Sequence, residues 1–547
     1  LSRRQRQMCI RDRLKGVNRH ESTPSTGHTV SREIMEKEIM LMKRANINHV
    51  RNSHYPDDPY WYHLCNKYGI YLEDEANLES HEFRYEEASL SHPIEWKKAH
   101  IARVMEMVHS NVNNPSIVIW SLGNEGGPGN NFVAAYEALK KFDTSRPVQY
   151  ERNNDIVDMG SNQYPSVDWV SGAAQGKYDI KYPFHISEYA HSMGNACGNL
   201  ADYWEAIEST NYLCGGAIWD WVDQSLYNYD PATGTRYLAY GGDFGDVPND
   251  GQFVMNGIMF GDLEPKPQYY EVKKVYQHIG VKAVDIEKGI LEVFNKYYFK
   301  DLADYLVKYS LYENGKEIKS DIVALGSVAP RTRKLVTVPY MNQSLSGQSE
   351  YFLKIQFCLK EKMPWADKGY VVAEEQLLIK EADSRSAISE VASSGKKLEL
   401  SGIKPGKNIV SVKGTGFEVT FDKSTGSIHS LKYNGEFIIT EGNGPELNAL
   451  RAFVNNDNWF FSSWFDNGLH NLRHKAISHY IQAQENGSVI LSFTVESQAP
   501  NGAFISGGMY SGKNRIEERS DRPFESDDFK FVTNQIWTVY QLSLIHI

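Results

Sequence analysis

The chain has 547 residues, too many for one hydrophobic core, so several domains are expected. Its net charge of −11 with no basic stripe excludes a nucleic-acid binder, and no apolar run approaches the roughly 18 residues of a membrane span. Five scattered cysteines without CxxC spacing argue against a zinc site or a disulfide framework.

In chain order, the ends come first. The codons of Met8-Cys9-Ile10-Arg11-Asp12 and of Leu542 to Ile547 back-translate to reverse-complementary stretches of a transposase-type sequencing adaptor. Residues 1–12 and 542–547 are therefore expected to be foreign to the natural chain and are set aside from the fold. From residue 14 to about 280, short apolar runs alternate with helical segments, the pattern of a parallel α/β architecture. Strands are expected at 14–18, 47–52, 70–74, 117–122, 148–151, 157–162, 184–187 and 216–219, and eight of them predict a (β/α)8 barrel over 13–283. Ser31 caps a helix with Ile34, Met35, Ile39 and Met42 on one face. Asp58-Pro59 opens the next helix and Gly69 closes it, while Ile101, Met105 and Val108 mark the stripe of a third. Beyond 283 the texture becomes alternating, with hairpin signals at Asn314-Gly315 and Asn434-Gly435. An immunoglobulin-like β-sandwich is expected over 284–383, a Ser/Ala-rich linker over 384–397 and a truncated C-terminal β-sandwich over 398–541.

Catalytic groups of such a barrel lie just past the C-terminal ends of its strands. The run 117–125 is a buried strand delivering Asn124-Glu125 there, and Phe184-His185-Ile186-Ser187-Glu188 delivers a second glutamate. Two carboxylates on one cavity suit glycoside hydrolysis, where one protonates the leaving oxygen and the other attacks the anomeric carbon. Glu79 and His81, after the third strand, could join Glu125 around Mg2+ or Mn2+. His20, Arg51 and His54 follow the first two strands and could hold sugar hydroxyls, with the Trp219 indole as the floor of a subsite.

Motifs in order across this region, from Gly16-Val17-Asn18-Arg19-His20-Glu21 through Trp120 to Glu125 and Ser187 to Asn195, resemble the large bacterial β-galactosidases of glycoside hydrolase family 2. Val50 to Pro56, Asp74 to His81, Trp219 to Ser225 and Gly241 to Gly257 extend the resemblance. It implies a retaining exo-hydrolase of terminal β-galactosides, with Glu125 as general acid/base and Glu188 as nucleophile. It places Asn124 on the sugar 2-hydroxyl, Tyr164 near the nucleophile, His20, His54 and His191 on galactose hydroxyls and Trp219 under the ring. Glu79, His81 and Glu125 would ligate Mg2+, and the Phe253 carbonyl with Asn256 would help bind Na+; no organic cofactor is implied. The chain departs from the family at Gly126 and Pro128, where Ser and His often stand, and at Phe453 and Asn455. It is expected to be a fragment lacking the N-terminal domains and the end of the last domain. The natural protein is expected to be a homo-oligomer in a bacterial cytoplasm or periplasm. The rival readings are a β-glucuronidase or other family 2 β-glycosidase, a metal-assisted hydrolase, and a non-catalytic sugar-binding protein.

Overall fold

The computed structural model describes residues 12–340, 345–382, 397–404, 406–459, 464, 469–499, 503–506, 515–519 and 530–541. The expected foreign ends, apart from Asp12, and the expected linker, apart from Lys397, lie outside the described residues. Two units separate, one of residues 1–345 with 350–380, the other of residues 346–349 with 381–547.

The first unit begins with eight parallel strands: β1 Leu14–Arg19, β2 His49–Asn52, β3 Tyr71–Glu75, β4 Ile117–Ser121, β5 Val148–Gln149, β6 Gly160–Gln163, β7 Phe184–Tyr189 and β8 Leu213–Ile218. Their order is β5-β4-β3-β2-β1-β8-β7-β6, so a nearly closed barrel is left unpaired only between β5 and β6. Seven α-helices cover it: α1 Arg32–Arg44, α2 Pro59–Tyr68, α3 Lys97–Asn111, α4 Asn130–Phe142, α5 Val167–Ala174, α6 Leu200–Glu208 and α7 Pro267–Val275. Among the described residues the β5–β6 connection carries only the 3-10 turn Asn154–Ile156.

The helix ends follow local chemistry. The Ser31 hydroxyl accepts from the Ile34 amide, and α1 buries Met35, Ile39 and Met42 as expected. Asp58 caps α2 through the Tyr60 amide, Pro59 takes the first turn, and Gly69 closes the helix at φ 69°, a conformation that favours glycine. The third helix differs from expectation. Its buried face is His100, Val104, Met107, Val108 and Asn111, with Ile101 and Met105 at its margin. Two polar residues belong to that face, so apolar spacing alone misplaces it. His100 meets the Phe132 ring edge-on at 4.9 Å, and the Asn111 amide donates to Asp74 at 2.9 Å.

β3 shows how the barrel accommodates charge. Glu73, Asp74 and Glu75 are consecutive and all buried. The period of two turns Asp74 outward, where Tyr62, Asn52 and Asn111 donate to it, and turns Glu73 and Glu75 into the barrel. Each acid has polar company, which is what permits charge at such depth.

The rest of the first unit is antiparallel. Sheets of three and four strands, running from Ile279 to Lys380, enclose a core that includes Leu291, Val293, Tyr309, Leu353 and Phe357, the two-sheet plan of a β-sandwich. A cleft of about 400 Å³, with His278, Tyr298 and Trp365 on its walls, lies at the N-terminal ends of the barrel strands, away from the mouth. In the second unit a five-stranded sheet from Glu399 to Ile439 and a three-stranded sheet share a core of Val410, Val412, Phe421, Leu491 and Phe493. Among the described residues no helix is long and apolar enough to cross a membrane.

Candidate active site

β4 ends at Ser121, and the chain then turns sharply to present Asn124 and Glu125. Gly123 sits at φ 145°, where a Cβ would lie 2.5 Å from the Leu78 carbonyl oxygen, so only glycine fits; Glu125 follows in the left-handed region at φ 38°. Its amide donates to Glu151 Oε1 at 3.0 Å, which fixes the turn. Glu188 is presented differently, from within β7, and is almost wholly buried.

Beneath both lies Arg51 on β2. Its guanidinium donates to Glu188 Oε1 at 2.9 Å, Glu75 Oε2 at 2.8 Å, Asn124 Oδ1 at 3.0 Å and Asn18 Oδ1 at 3.1 Å. Arg51 was expected to reach sugar hydroxyls. It is instead wholly buried with its donors spent on protein groups, so it holds the carboxylates rather than a ligand.

Glu125 has its own set of partners. Arg152 Nη2 donates to Oε1 at 2.7 Å and the Tyr85 hydroxyl donates to the same oxygen at 3.0 Å, while His81 Nδ1 lies 2.8 Å from Oε2. Arg152 also donates to Gln163 Oε1, and Gln163 Nε2 donates to Glu188 Oε1 at 2.8 Å and to Asn124 Oδ1 at 2.9 Å. The two glutamates are thus joined through Arg152 and Gln163. Neither linking residue carries a local sequence signal beyond Gln163 standing beside Tyr164.

Around this pair the mouth is aromatic. His54 stacks on Trp219 at 5.1 Å with ring planes 9° apart, and His20 meets both rings edge-on at 5.4–5.5 Å. Burial, then the charge of Arg51, pushes His54 down to about 3, and burial followed by His54 lowers His20 as well. Both imidazoles are therefore neutral near pH 7 and can donate and accept at once. Tyr164, 38% exposed, turns its hydroxyl to the Glu188 carboxylate. Loss of water around that hydroxyl, then the Glu188 charge, hold it well above the usual tyrosine range, so it stays a donor. The His191 ring lies 5.8 Å from that of Tyr164 and 6.3 Å from that of Phe253. The Asn256 side-chain amide donates to the Phe253 carbonyl at 2.5 Å, and the Asn256 backbone carbonyl accepts from the Asp220 amide beside Trp219. The structure thus brings His20, His54, Asn124, Tyr164 and Trp219 around the two glutamates, with His191, Phe253 and Asn256 forming one flank.

At the mouth, two groups of oxygens and nitrogens could hold cations. Ligand atoms of Glu79, His81 and Glu125 lie within 4.8 Å of one another, a spacing a single metal ion can bridge. Glu79 is exposed as a residue, but loss of water around its carboxyl, with the Glu125, Glu75 and Glu188 charges adding and an Asn124 hydrogen bond opposing, raises it to about 7. A carboxyl held that high gains from a nearby cation, so the donor set fits one. Asn256 Oδ1 is buried with no hydrogen bond among the described residues, and exchanging the amide's two ends would set it beside the Phe253 carbonyl.

Comparison with known proteins decides the family. The model described as the TIM barrel domain of glycosyl hydrolases family 2 matches residues 4–281. The chain belongs to glycoside hydrolase family 2. In this family 2 chain, the models for β-galactosidase domain 4 and the β-galactosidase small chain match residues 291–380 and 413–515. A curated β-galactosidase of Priestia megaterium is 39% identical over 456 residues, covering 81% of this chain and 43% of its own length. One from Psychromonas ingrahamii is 38% identical over 467 residues, covering 81% and 44%. The family 2 chain thus spans less than half the length of these relatives. A solved family 2 β-galacturonidase from Eisenbergiella tayi, bound to galacturonate, is 22% identical and covers 48% of this chain and 50% of its own, at a TM-score of 0.38. That likeness is too partial to bear on the sugar.

Proposed function

We propose that the protein containing this chain is a retaining β-galactosidase. The observation that carries the reading is the linked pair of glutamates at the ends of β4 and β7, Glu125 and Glu188, in a family 2 barrel whose curated relatives are β-galactosidases. Glu188 attacks the anomeric carbon of a terminal β-galactoside while Glu125 gives its proton to the departing glycosidic oxygen. Glu125, now a carboxylate, takes a proton from water, which displaces Glu188 and releases galactose with its original configuration. For this the two carboxyl groups work about 5–5.5 Å apart. Trp219 lies under the sugar, His20, His54 and His191 meet its hydroxyls, and Asn124 holds the 2-hydroxyl. Arg51, Gln163 and Tyr164 keep the Glu188 carboxylate aimed.

Glu79, His81 and Glu125 would hold Mg2+ or Mn2+, which supplies positive charge beside the acid/base; Phe253 and Asn256 would hold Na+. The same reading divides the chain into a catalytic barrel at 13–283, a sandwich at 284–383 and the start of a last domain at 398–541, within a larger homo-oligomeric protein.

The test is turnover of nitrophenyl β-galactoside, β-glucuronide and β-galacturonide by the full-length protein. Galactoside is expected to be preferred by about 100-fold or more, as expected of a site whose donors are matched to one sugar. Preference for either uronide would replace galactose in this account, and no turnover of any would remove it. The metal reading carries a pH signature. Glu79 must be deprotonated to ligate, which holds above about pH 7 and fails progressively below it. The Mg2+ concentration giving half-maximal activity is therefore expected to be about tenfold higher at pH 6 than at pH 8. An unchanged midpoint would contradict ligation by Glu79.

A further inference from the structure

One layer below Arg51 and Glu75, the barrel interior holds a second polar cluster. His49 opens β2, Glu73 is the third residue of β3 and His185 the second of β7, and all three are wholly buried. Two positions further along the same strands stand Arg51, Glu75 and Ser187, so the strand period puts the three in a common layer one step deeper. Glu73 Oε2 lies 3.6 Å from His49 Nε2 and 3.4 Å from His185 Nδ1, with the imidazoles edge-on at 5.1 Å. Charge-assisted hydrogen bonds are shorter, about 2.7–2.9 Å. Among the described residues, none of the four ring nitrogens nor Glu73 Oε2 makes a hydrogen bond of ordinary length, the three that face one another standing 3.4–3.6 Å apart. Buried polar atoms are rarely left so, and five in one place call for an occupant.

The spacing names the occupant. Four ligands at about 2.0–2.1 Å around a tetrahedral ion stand about 3.3–3.4 Å apart, close to both separations. Gln149 offers a fourth group: its Nε2 donates to Glu73 Oε1 at 2.5 Å, and its own Oε1 is buried and unpartnered among the described residues. Gly16 leaves the room, since a Cβ there would lie 2.4 Å from His49 Cδ2. Arg51 Nε is 3.8 Å from Glu73 Oε1, and the carboxyls of Glu73, Glu75 and Glu188 are placed to offset both cations.

We propose that His49, Glu73 and His185 bind a structural transition-metal ion of the Zn2+ class inside the barrel. Two imidazoles and one carboxylate suit such an ion rather than Mg2+ or Ca2+, whose sites are built from oxygen. The site is separate from the Glu79–His81–Glu125 group at the mouth and depends on neither the sugar nor the reaction. With all three ligands out of solvent reach, the ion enters as the barrel folds and then exchanges slowly.

The full chain, expressed with Zn2+ in the medium and dialysed exhaustively against EDTA, is assayed for metals by plasma mass spectrometry. An ion at the mouth leaves with the chelator, whereas about one Zn2+ per chain is expected to remain. His185→Val and Glu73→Gln are each expected to lower that content about tenfold, with folding checked by circular dichroism. Should neither variant fold, the unsubstituted chain grown with Co2+ reads the same site, and the intense visible bands of four-coordinate Co2+ are expected. Retained metal below about one tenth of an ion per chain, weak octahedral Co2+ bands alone, or full Zn2+ content in a folded variant would each overturn the proposal.

Discussion

Glu188→Gln in the full-length protein is expected to lower kcat on nitrophenyl β-galactoside by about 10,000-fold or more, because an amide oxygen cannot form the glycosyl-enzyme. The fold is expected to survive. The amide is nearly the shape of the carboxylate, and its oxygen can still accept from Arg51 and Gln163, which now donate to Glu188 Oε1 at 2.9 and 2.8 Å. The loss should therefore fall on kcat, with KM changed only a few-fold and the melting temperature close to that of the parent. Steady-state kinetics and a thermal melt on the same preparation check both halves. Activity within tenfold of the parent would remove Glu188 from the reaction.

Arg51→Met is expected to cost about 3–5 kcal/mol of barrel stability, the usual consequence of breaking a buried ion pair from one side. The guanidinium is fully buried and serves Glu75, Glu188, Asn124 and Asn18, so its removal strands two carboxyls away from water. Arg51→Lys separates charge from geometry. An ammonium can offset the carboxyls but cannot reach four acceptors in one plane, so stability should recover in part while kcat stays about 100-fold or more below the parent. Denaturant titration and kcat on the same variants test this. Parent-like kcat in Arg51→Lys would mean that the fork does not position the nucleophile.

The barrel was legible because its strands are short buried runs between well-marked helix caps. Ser31, Asp58-Pro59 and Gly69 act locally, and all three do in the structure what their chemistry requires. Both glutamates were legible for a related reason: each follows an apolar run that can only be an interior strand. What stayed hidden depends on residues far apart in the chain. Arg152 on the β5–β6 connection and Gln163 at the end of β6 become neighbours of Glu125 and Glu188 only when the barrel closes. The buried side of α3 was misplaced because His100 and Asn111 are polar and their partners, Phe132 and Asp74, lie on other elements. Arg51 looked like a ligand contact because its place after a strand was visible, whereas its depth was not. The same limit hid the His49–Glu73–His185 cluster. Cysteine spacing spoke against zinc, and three ligands drawn from three strands leave no local motif.

The most direct test of the central claim is to trap the covalent intermediate. The full-length protein is incubated with a 2-deoxy-2-fluoro-β-galactosyl fluoride, whose 2-fluorine slows both steps while the departing anomeric fluoride keeps transfer to the enzyme faster than release. It is then digested and its peptides are read by mass spectrometry. The account predicts a single added fluorogalactosyl group on the peptide containing Glu188, attached to that side chain, with activity lost in step. A label on Glu125 or elsewhere, or brisk galactoside turnover with inversion and no adduct, would contradict it.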